Sequence, residues 1–185
     1  LLKGILMESQ ILQRAIFLDR DGVINKEVKY LFKIEDFRFI NGVFTTCKYF
    51  TNLGYKIIIV SNQSGISRGY YSEDEYQKIT QWMIEQFDKN EISILDTFHC
   101  PHHSDFNCEC RKPKPGMFIH ADIKYGIDFD NSWLIGDKET DIEAANQAGI
   151  TNTILVRSGH NINEAISNSK FIIDSIKEAS QVIKN

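Results

Sequence analysis

This sequence predicts an α/β fold, a doubly wound parallel sheet of the Rossmann type. Three observations carry that expectation. Ala15–Leu18, Lys56–Val60 and Ser132–Ile135 are short apolar runs without the in/out alternation of a half-exposed strand, as strands covered on both faces read. Each stops on acids or small polar residues beside a glycine: Asp19-Arg20-Asp21-Gly22, Ser61-Asn62-Gln63-Ser64-Gly65 and Gly136-Asp137. The intervening stretches carry apolar residues at helical spacing, so strands and helices alternate.

Taken in order, Asn25 to Ile40 is a mixed aromatic and charged loop, and a loop of this length leaving a strand end is usually functional. After Asn41-Gly42, Val43, Phe44, Cys47, Phe50 and Leu53 line one face of a helix that Gly54 stops, and Cys47 reads as a core residue. Ser72-Glu73-Asp74-Glu75 is a capping box. It opens a helix with Tyr76, Ile79, Met83, Ile84 and Phe87 on its core face. Leu95–His99 reads as a short strand and Gly116–Tyr125 as a helix ended by Gly126. A helix from Asp141 to Ala148 stops at Gly149. Thr153–Val156 and Phe171–Ile173 are two further strands, and Ser175–Ile183 a closing helix. Residues 1–14 read as an N-terminal extension and 15–185 as one domain with a cysteine-rich loop at 100–110; neither repeats nor low-complexity tracts interrupt it.

The 185 residues carry a formal net charge of -4, with 42% hydrophobic and 25% charged side chains. That is an ordinary globular balance. It gives no general attraction to nucleic acid or anionic membrane, and neither is expected as a partner. No apolar run reaches the roughly 20 residues of a spanning helix, and the first residues are too few for the apolar segment of a signal peptide. The expected location is therefore the cytoplasm, where the four cysteines are thiols or metal ligands rather than disulfides. A monomer is expected, since no exposed apolar stripe stands out.

In a parallel sheet the three polar strand ends share one edge. Asp19, Asp21 and Asp137 converge there, and close carboxylates repel unless a cation lies between them. Mg²⁺ suits this place, because it takes hard oxygen ligands and keeps positions for phosphate. Ser61 offers a hydroxyl, Asn62 and Gln63 offer amides, and Lys112 offers a balancing cation. A carboxylate nucleophile, a hydroxyl donor, a lysine and a metal are the parts needed to move a phosphoryl group through an aspartyl-phosphate. Asp141 is read as orienting Lys112 or Asp137. A second constellation is Cys100-Pro101-His102-His103 followed by Cys108-Glu109-Cys110. Cys100, His102, Cys108 and Cys110 suit a closed, structural Zn²⁺ site, with His103 open as the alternative imidazole. Zinc there would order a polar loop and, because Arg111-Lys112-Pro113 follows, fix the lysine.

The ordered set D-x-D-G, Ser after an apolar strand, Lys, then G-D-x-x-x-D resembles the haloacid dehalogenase (HAD) superfamily of phosphatases. The resemblance implies that Asp19 is the nucleophile and Asp21 the general acid, then the base for water. It implies that Ser61 and Lys112 stabilise the transferring phosphoryl group and that Asp137 completes the magnesium site. Phe17 to Gly22, Ser61 to Ile66, Arg68-Gly69, the Cys-Pro-His-His loop, C-x-C-R-K-P and Gly136-Asp137-Lys138 narrow it further. From about Ala15 through Arg157 the chain resembles the superfamily's zinc-loop subgroup, phosphatases of heptose bisphosphate or histidinol phosphate that lack a large cap domain. By this resemblance the reaction is Mg²⁺-dependent hydrolysis of the C7 phosphate of a heptose 1,7-bisphosphate, supplying heptose for lipopolysaccharide core or related surface glycans. Glu27, Val28, Lys29, Tyr30, Asn62, Gln63, Ser64 and Arg111 would contact the sugar phosphate, and Lys138 would lie beside metal and phosphate.

Histidinol-phosphate hydrolysis is the alternative. Arg68 favours the bisphosphate, since a guanidinium suits a second anionic group that histidinol phosphate lacks. A zinc-binding interaction module on an inactive phosphatase fold is the reading from a different class; it expects loss of Asp19, Asp21 or Lys112, and all three are present. Two departures stand out: Val23 where many superfamily members carry Thr, and Ser61 where close relatives often carry Thr. The second keeps the hydroxyl.

Overall fold

The computed structural model describes residues 12–184. Six strands, β1 (Ala15–Leu18), β2 (Lys56–Asn62), β3 (Ile94–Cys100), β4 (Trp133–Gly136), β5 (Asn152–Val156) and β6 (Phe171–Ile173), form one sheet in the order β3-β2-β1-β4-β5-β6. Each neighbouring pair is parallel. Parallel neighbours need crossover connections, and α1 (Val43–Asn52), α2 (Glu73–Lys89), α3 (Gly116–Tyr125) and α4 (Glu139–Ala148) provide most of them. The architecture is the doubly wound sheet with flanking helices, and no large cap is inserted among the described residues.

The apolar runs lack alternation because both sheet faces are covered. Ile16 and Leu18 of β1 pack with Val43, Cys47 and Phe50 of α1 and Ile79, Met83 and Phe87 of α2. Ala15 and Phe17, pointing the other way, pack with Met117, Phe118 and Ala121 of α3 and Ile142 and Ala145 of α4. Phe17 and Phe118 meet with ring centroids 5.0 Å apart, tilted at 55°. The start of α2 is held by the capping box: Ser72 Oγ accepts from the Glu75 amide at 3.2 Å, and the Glu75 carboxylate accepts from the Ser72 amide at 2.7 Å.

Several boundaries differ from the pattern-based expectation, most by one or two residues. β2 and β3 run on to Asn62 and Cys100, where Ser61 pairs with His99 and Asn62 with Cys100. The sheet itself thus delivers the first thiol of the cysteine-rich loop. The expected single helix over 175–183 is instead a 3₁₀ turn (Ile176–Glu178) followed by a four-residue helix, α5 (Ala179–Val182). Ile176 and Ala179 both face the core, and a three-residue spacing is what a 3₁₀ turn aligns. The long loop after β1 contains only a 3₁₀ turn at Ile34–Asp36, but Leu31, Phe37 and Ile40 anchor it in the core.

Most of the expected extension, residues 1–11, lies outside the described residues. Gln13 lies against the fold: its amide donates to the Gly126 carbonyl at 2.8 Å, and its carbonyl accepts from the Asp128 amide at 3.0 Å. Among the described residues no helix is long and apolar enough to cross a membrane.

β1 has β2 on one side and β4 on the other, so the chain winds away in opposite directions from this pair. In open α/β sheets ligands bind at that switch point, beyond the strands' carboxyl ends. Leu18 pairs with Ile135, which brings Asp19 and Asp137, just past the two strand ends, to the same crevice.

Because Phe118 is fully buried against Phe17 in the core on one face of the sheet, Phe118→Ala should cost about 3–5 kcal/mol of unfolding free energy. Urea titration checks this: the midpoint should fall with the m-value unchanged, and an unmoved midpoint would contradict the packing described.

Candidate active site

A cavity of about 360 Å³ opens at the switch point, with Asp19, Ser61 and Lys112 on its floor and Glu27, Val28, Lys29 and Tyr30 on one wall. Asn62, Gln63, Ser64, Arg111 and Lys138 also border it, as do Arg20, Leu31, Tyr71 and Thr140, which the sequence did not single out. Arg68 is exposed on the turn after β2 and does not reach the cavity, so the expectation that its guanidinium faces substrate is not met by this geometry. Besides Lys112 and the buried Arg20, the cations that border the cavity are Lys29, Arg111 and Lys138.

Lys112 is the hub of the floor. Its buried ammonium donates to Asp19 Oδ1 at 2.7 Å and to the Val60 carbonyl at 2.8 Å, and pairs with Asp141 Oδ1 at 2.7 Å. An ammonium has three donors, and all are taken. Burial alone would lower the Lys112 pKa, but Asp141 and Asp19 outweigh it and raise it, so the group stays charged. Asp141 spends its other oxygen, Oδ2, on the amides of Asp137 at 3.2 Å and Lys138 at 3.1 Å, tying the first turn of α4 to the end of β4. Burial pushes the Asp19 pKa well above the usual carboxylate range; Lys112 opposes this, while Asp141, Asp137 and Asp21 add to it.

Asn62 and Gln63, expected to face the sugar phosphate with their amides, are committed elsewhere. Asn62 clamps the backbone of Lys112 from both sides, Nδ2 to its carbonyl at 3.0 Å and Oδ1 from its amide at 3.1 Å. Gln63 Nε2 donates to Ser61 Oγ at 2.7 Å and to Asp21 Oδ2 at 3.1 Å, while its oxygen accepts from the Tyr71 hydroxyl at 2.6 Å. With its oxygen accepting from Gln63, Ser61 keeps its own proton for a ligand.

Asp21 stands apart from Asp19. Its carboxylate accepts from Arg20 Nε at 3.1 Å and Nη2 at 2.9 Å, from Asn25 Nδ2 at 2.9 Å, and from Gln63. The buried Arg20 side chain lies over the Tyr76 ring, 5.7 Å from its centroid. The oxygens that approach one another closely enough to share a metal ion, all within 4.8 Å, come from Asp19, Asp137 and Asp141. The expected metal role of the Asp21 side chain is therefore not supported, because its oxygens are directed at Arg20, Asn25 and Gln63.

Asp137 is fully buried, with Oδ1 lacking any hydrogen-bond partner. Its Oδ2 accepts from the amide of His160 at 3.1 Å and lies 2.6 Å from His160 Nδ1. Burial raises the Asp137 pKa, as does Asp141, while His160 lowers it. A buried, unpartnered carboxylate oxygen beside two further acids fits a hard divalent cation such as Mg²⁺. His160 was not singled out in the sequence; the available signal was its place just past β5, on the same edge as the other strand ends.

The cysteine-rich loop brings Cys100, His102, Cys108 and Cys110 together within 4.8 Å. Cys110 Sγ lies 3.3 Å from His102 Nδ1, and Cys100 Sγ lies 3.6 Å from both His102 Nδ1 and Cys108 Sγ. A sulfur separation of 3.6 Å is far beyond a disulfide bond. Desolvation pushes the Cys108 thiol up, but the Arg111 amide and neighbouring sulfurs outweigh it and bring its pKa to about 7, while burial raises the Cys100 and Cys110 thiols. His103 turns to Ser104 and Asp105 instead. The set fits tetrahedral Zn²⁺. Arg111 joins this loop to the cavity, its Nη1 donating to the His102 carbonyl at 3.1 Å.

Comparison with known proteins agrees with this geometry. Residues 109–179 match the HAD-hydrolase-like family. The chain is 47% identical over 177 residues to D-glycero-alpha-D-manno-heptose-1,7-bisphosphate 7-phosphatase of Photorhabdus laumondii, covering 89% of this chain and 97% of that one. It is 42% identical over 172 residues to the beta-heptose 7-phosphatase of Vibrio cholerae, covering 89% and 92%. A solved D,D-heptose 1,7-bisphosphate phosphatase of B. bronchiseptica, complexed with magnesium and phosphate, superposes with a TM-score of 0.81 at 26% identity, covering 92% and 97%. With such similarity along almost its entire length, the chain belongs to the D-glycero-D-manno-heptose-1,7-bisphosphate 7-phosphatase family, phosphoric monoester hydrolases of the HAD-like fold.

Proposed function

We propose that this protein hydrolyses the C7 phosphate of D-glycero-D-manno-heptose 1,7-bisphosphate, acting through an aspartyl-phosphate on Asp19. The observation that carries the reading is Asp19 itself, a buried carboxylate with one oxygen held by a fully committed lysine. Lys112 fixes Oδ1, so Oδ2 is the oxygen that attacks phosphorus as the bond to the C7 oxygen breaks. Asp21 supplies the proton to the leaving alcohol. It then takes a proton from the water that attacks the aspartyl-phosphate, releasing phosphate and restoring Asp19. Ser61 donates its hydroxyl proton to a phosphoryl oxygen. Lys112 acts on the phosphoryl group through its charge rather than a hydrogen bond, since its donors are spent.

Asp19 and Asp137 would hold Mg²⁺, supported by the unpartnered oxygen of Asp137 and by the magnesium complex of the B. bronchiseptica relative. Bound there, Mg²⁺ supplies Lewis-acid charge for the transferring phosphoryl group. Cys100, His102, Cys108 and Cys110 would hold a structural Zn²⁺ that keeps Arg111 at the cavity wall. Lys29, Arg111 and Lys138 would receive the second phosphate in place of Arg68. We place the catalytic unit in residues 15–185 as one domain, and the thiol ligands fit a reducing, cytoplasmic setting.

Asp19→Asn should cut phosphate release at least about a thousandfold, as loss of a nucleophile does; substantial residual turnover would overturn the covalent route. Relatives named for the alpha anomer share 47% and 48% identity with the chain, and the beta-named Vibrio cholerae relative 42%. Steady-state kinetics with both anomers and histidinol phosphate should therefore give the highest kcat/KM for the alpha bisphosphate. A preference for histidinol phosphate would refute the substrate assignment. Cys108→Ser should bring zinc content, measured by atomic absorption, well below about one ion per chain and lower the melting temperature; unchanged zinc would refute the ligand set.

A further inference from the structure

The turn after β5, Ser158-Gly159-His160, wraps the outer side of Asp137. Ser158 Oγ donates to the Gly22 carbonyl at 2.6 Å, fastening this turn to the one that follows β1. Gly159 has no side chain where one would overlap the Asp137 carboxylate, so the backbone approaches as no other residue permits. His160 then closes on Oδ2 twice, through its amide at 3.1 Å and its ring Nδ1 at 2.6 Å. That distance fits a hydrogen bond donated by Nδ1–H to the carboxylate oxygen. The opposite ring nitrogen, Nε2, faces Glu27 Oε1 at 3.8 Å, on the cavity wall. Both donors act on Oδ2, while Oδ1 stays buried without a partner.

We infer that His160 is a positioning residue for the metal site: its ring N–H holds Oδ2 of Asp137 so that Oδ1 is presented to Mg²⁺. The inference rests on the Mg²⁺ assignment made above. Ligating carboxylates are themselves oriented by hydrogen bonds, and loss of such an outer partner typically weakens metal binding 10–100-fold. Two donors fix Oδ2 more tightly than one, because the amide alone leaves the carboxylate free to rock about its Cβ–Cγ bond. The same imidazole lies between Asp137 and Glu27 on the cavity wall.

Calorimetric titration of the full chain with Mg²⁺ alone, without substrate, tests this. His160→Ala should raise the Mg²⁺ Kd about tenfold while the metal-free melting temperature stays near that of the wild type, the side chain being partly exposed. His160→Asn puts an amide N–H near the place of Nδ1 and should recover most of the lost affinity. His160→Leu, similar in volume but without a donor, should behave as alanine does and carries the comparison if the alanine variant does not fold. Wild-type affinity in the donor-free variants, or equal loss in alanine and asparagine, would overturn the positioning role. Absence of Mg²⁺ binding by the wild-type chain would instead overturn the metal assignment on which it rests.

Discussion

The buried ammonium of Lys112 is the constraint around which the crevice is built. A charge taken out of water is tolerable only with close partners, and breaking such a pair costs about 3–5 kcal/mol. Its partners come from three parts of the chain: Asp19 after β1, the Val60 carbonyl in β2, and Asp141 in α4. Holding the lysine therefore holds the strand ends in register with the first turn of α4. Two of the three clustered carboxylates, Asp19 and Asp141, pair with the one ammonium, and Asp137 lies beside them without that contact. The raised pKa values of Asp19 and Asp137 are the expected response of buried acids with too little opposing charge.

Around that hub, polar side chains act on one another more than on the open cavity. Asn62 grips the backbone of Lys112, and Gln63 links Ser61, Asp21 and Tyr71 in one chain of hydrogen bonds. Tyr71 also stacks on Phe32, with ring centroids 5.5 Å apart, so the loop after β1 leans on the turn after β2. Such satisfied networks specify a single arrangement because an unmade hydrogen bond at depth is expensive. The acid pair separated by one residue is split by the same means: Asp19 faces the lysine and Asp21 faces Arg20.

Much of this was legible in the chain. Unalternating apolar runs ending on acids and glycines located the strands that build the crevice, and the spacing of Cys100, His102, Cys108 and Cys110 located their cluster. Side-chain direction was not legible. Nothing in the order Asp19-Arg20-Asp21 tells that the arginine turns inward to hold its own neighbour, since the turn conformation decides it. Arg68 is basic and close in sequence to Ser61, yet it sits on an exposed turn. His160 lies outside every recognised motif because its role depends on where β5 ends relative to β4, a property of register rather than composition. The closing segment shows the same limit on a smaller scale, where tertiary packing of Ile176 and Ala179 replaced a helix with a 3₁₀ turn.

The two glycines that flank Asp137 have a consequence for how the site can evolve. Gly22, at φ +89°, and Gly159 press backbone against the same carboxylate from separate loops, leaving no room for even one added methyl group on either side. The acid thus sits in a mould of main chain, which cannot change shape by rotamer adjustment as a wall of side chains can. A glutamate at position 137 would need one methylene more depth than the mould offers. Variation among descendants of this chain should accordingly flow into the outer walls of the cavity, around Lys29 and Arg111, while the buried acid stays the same length.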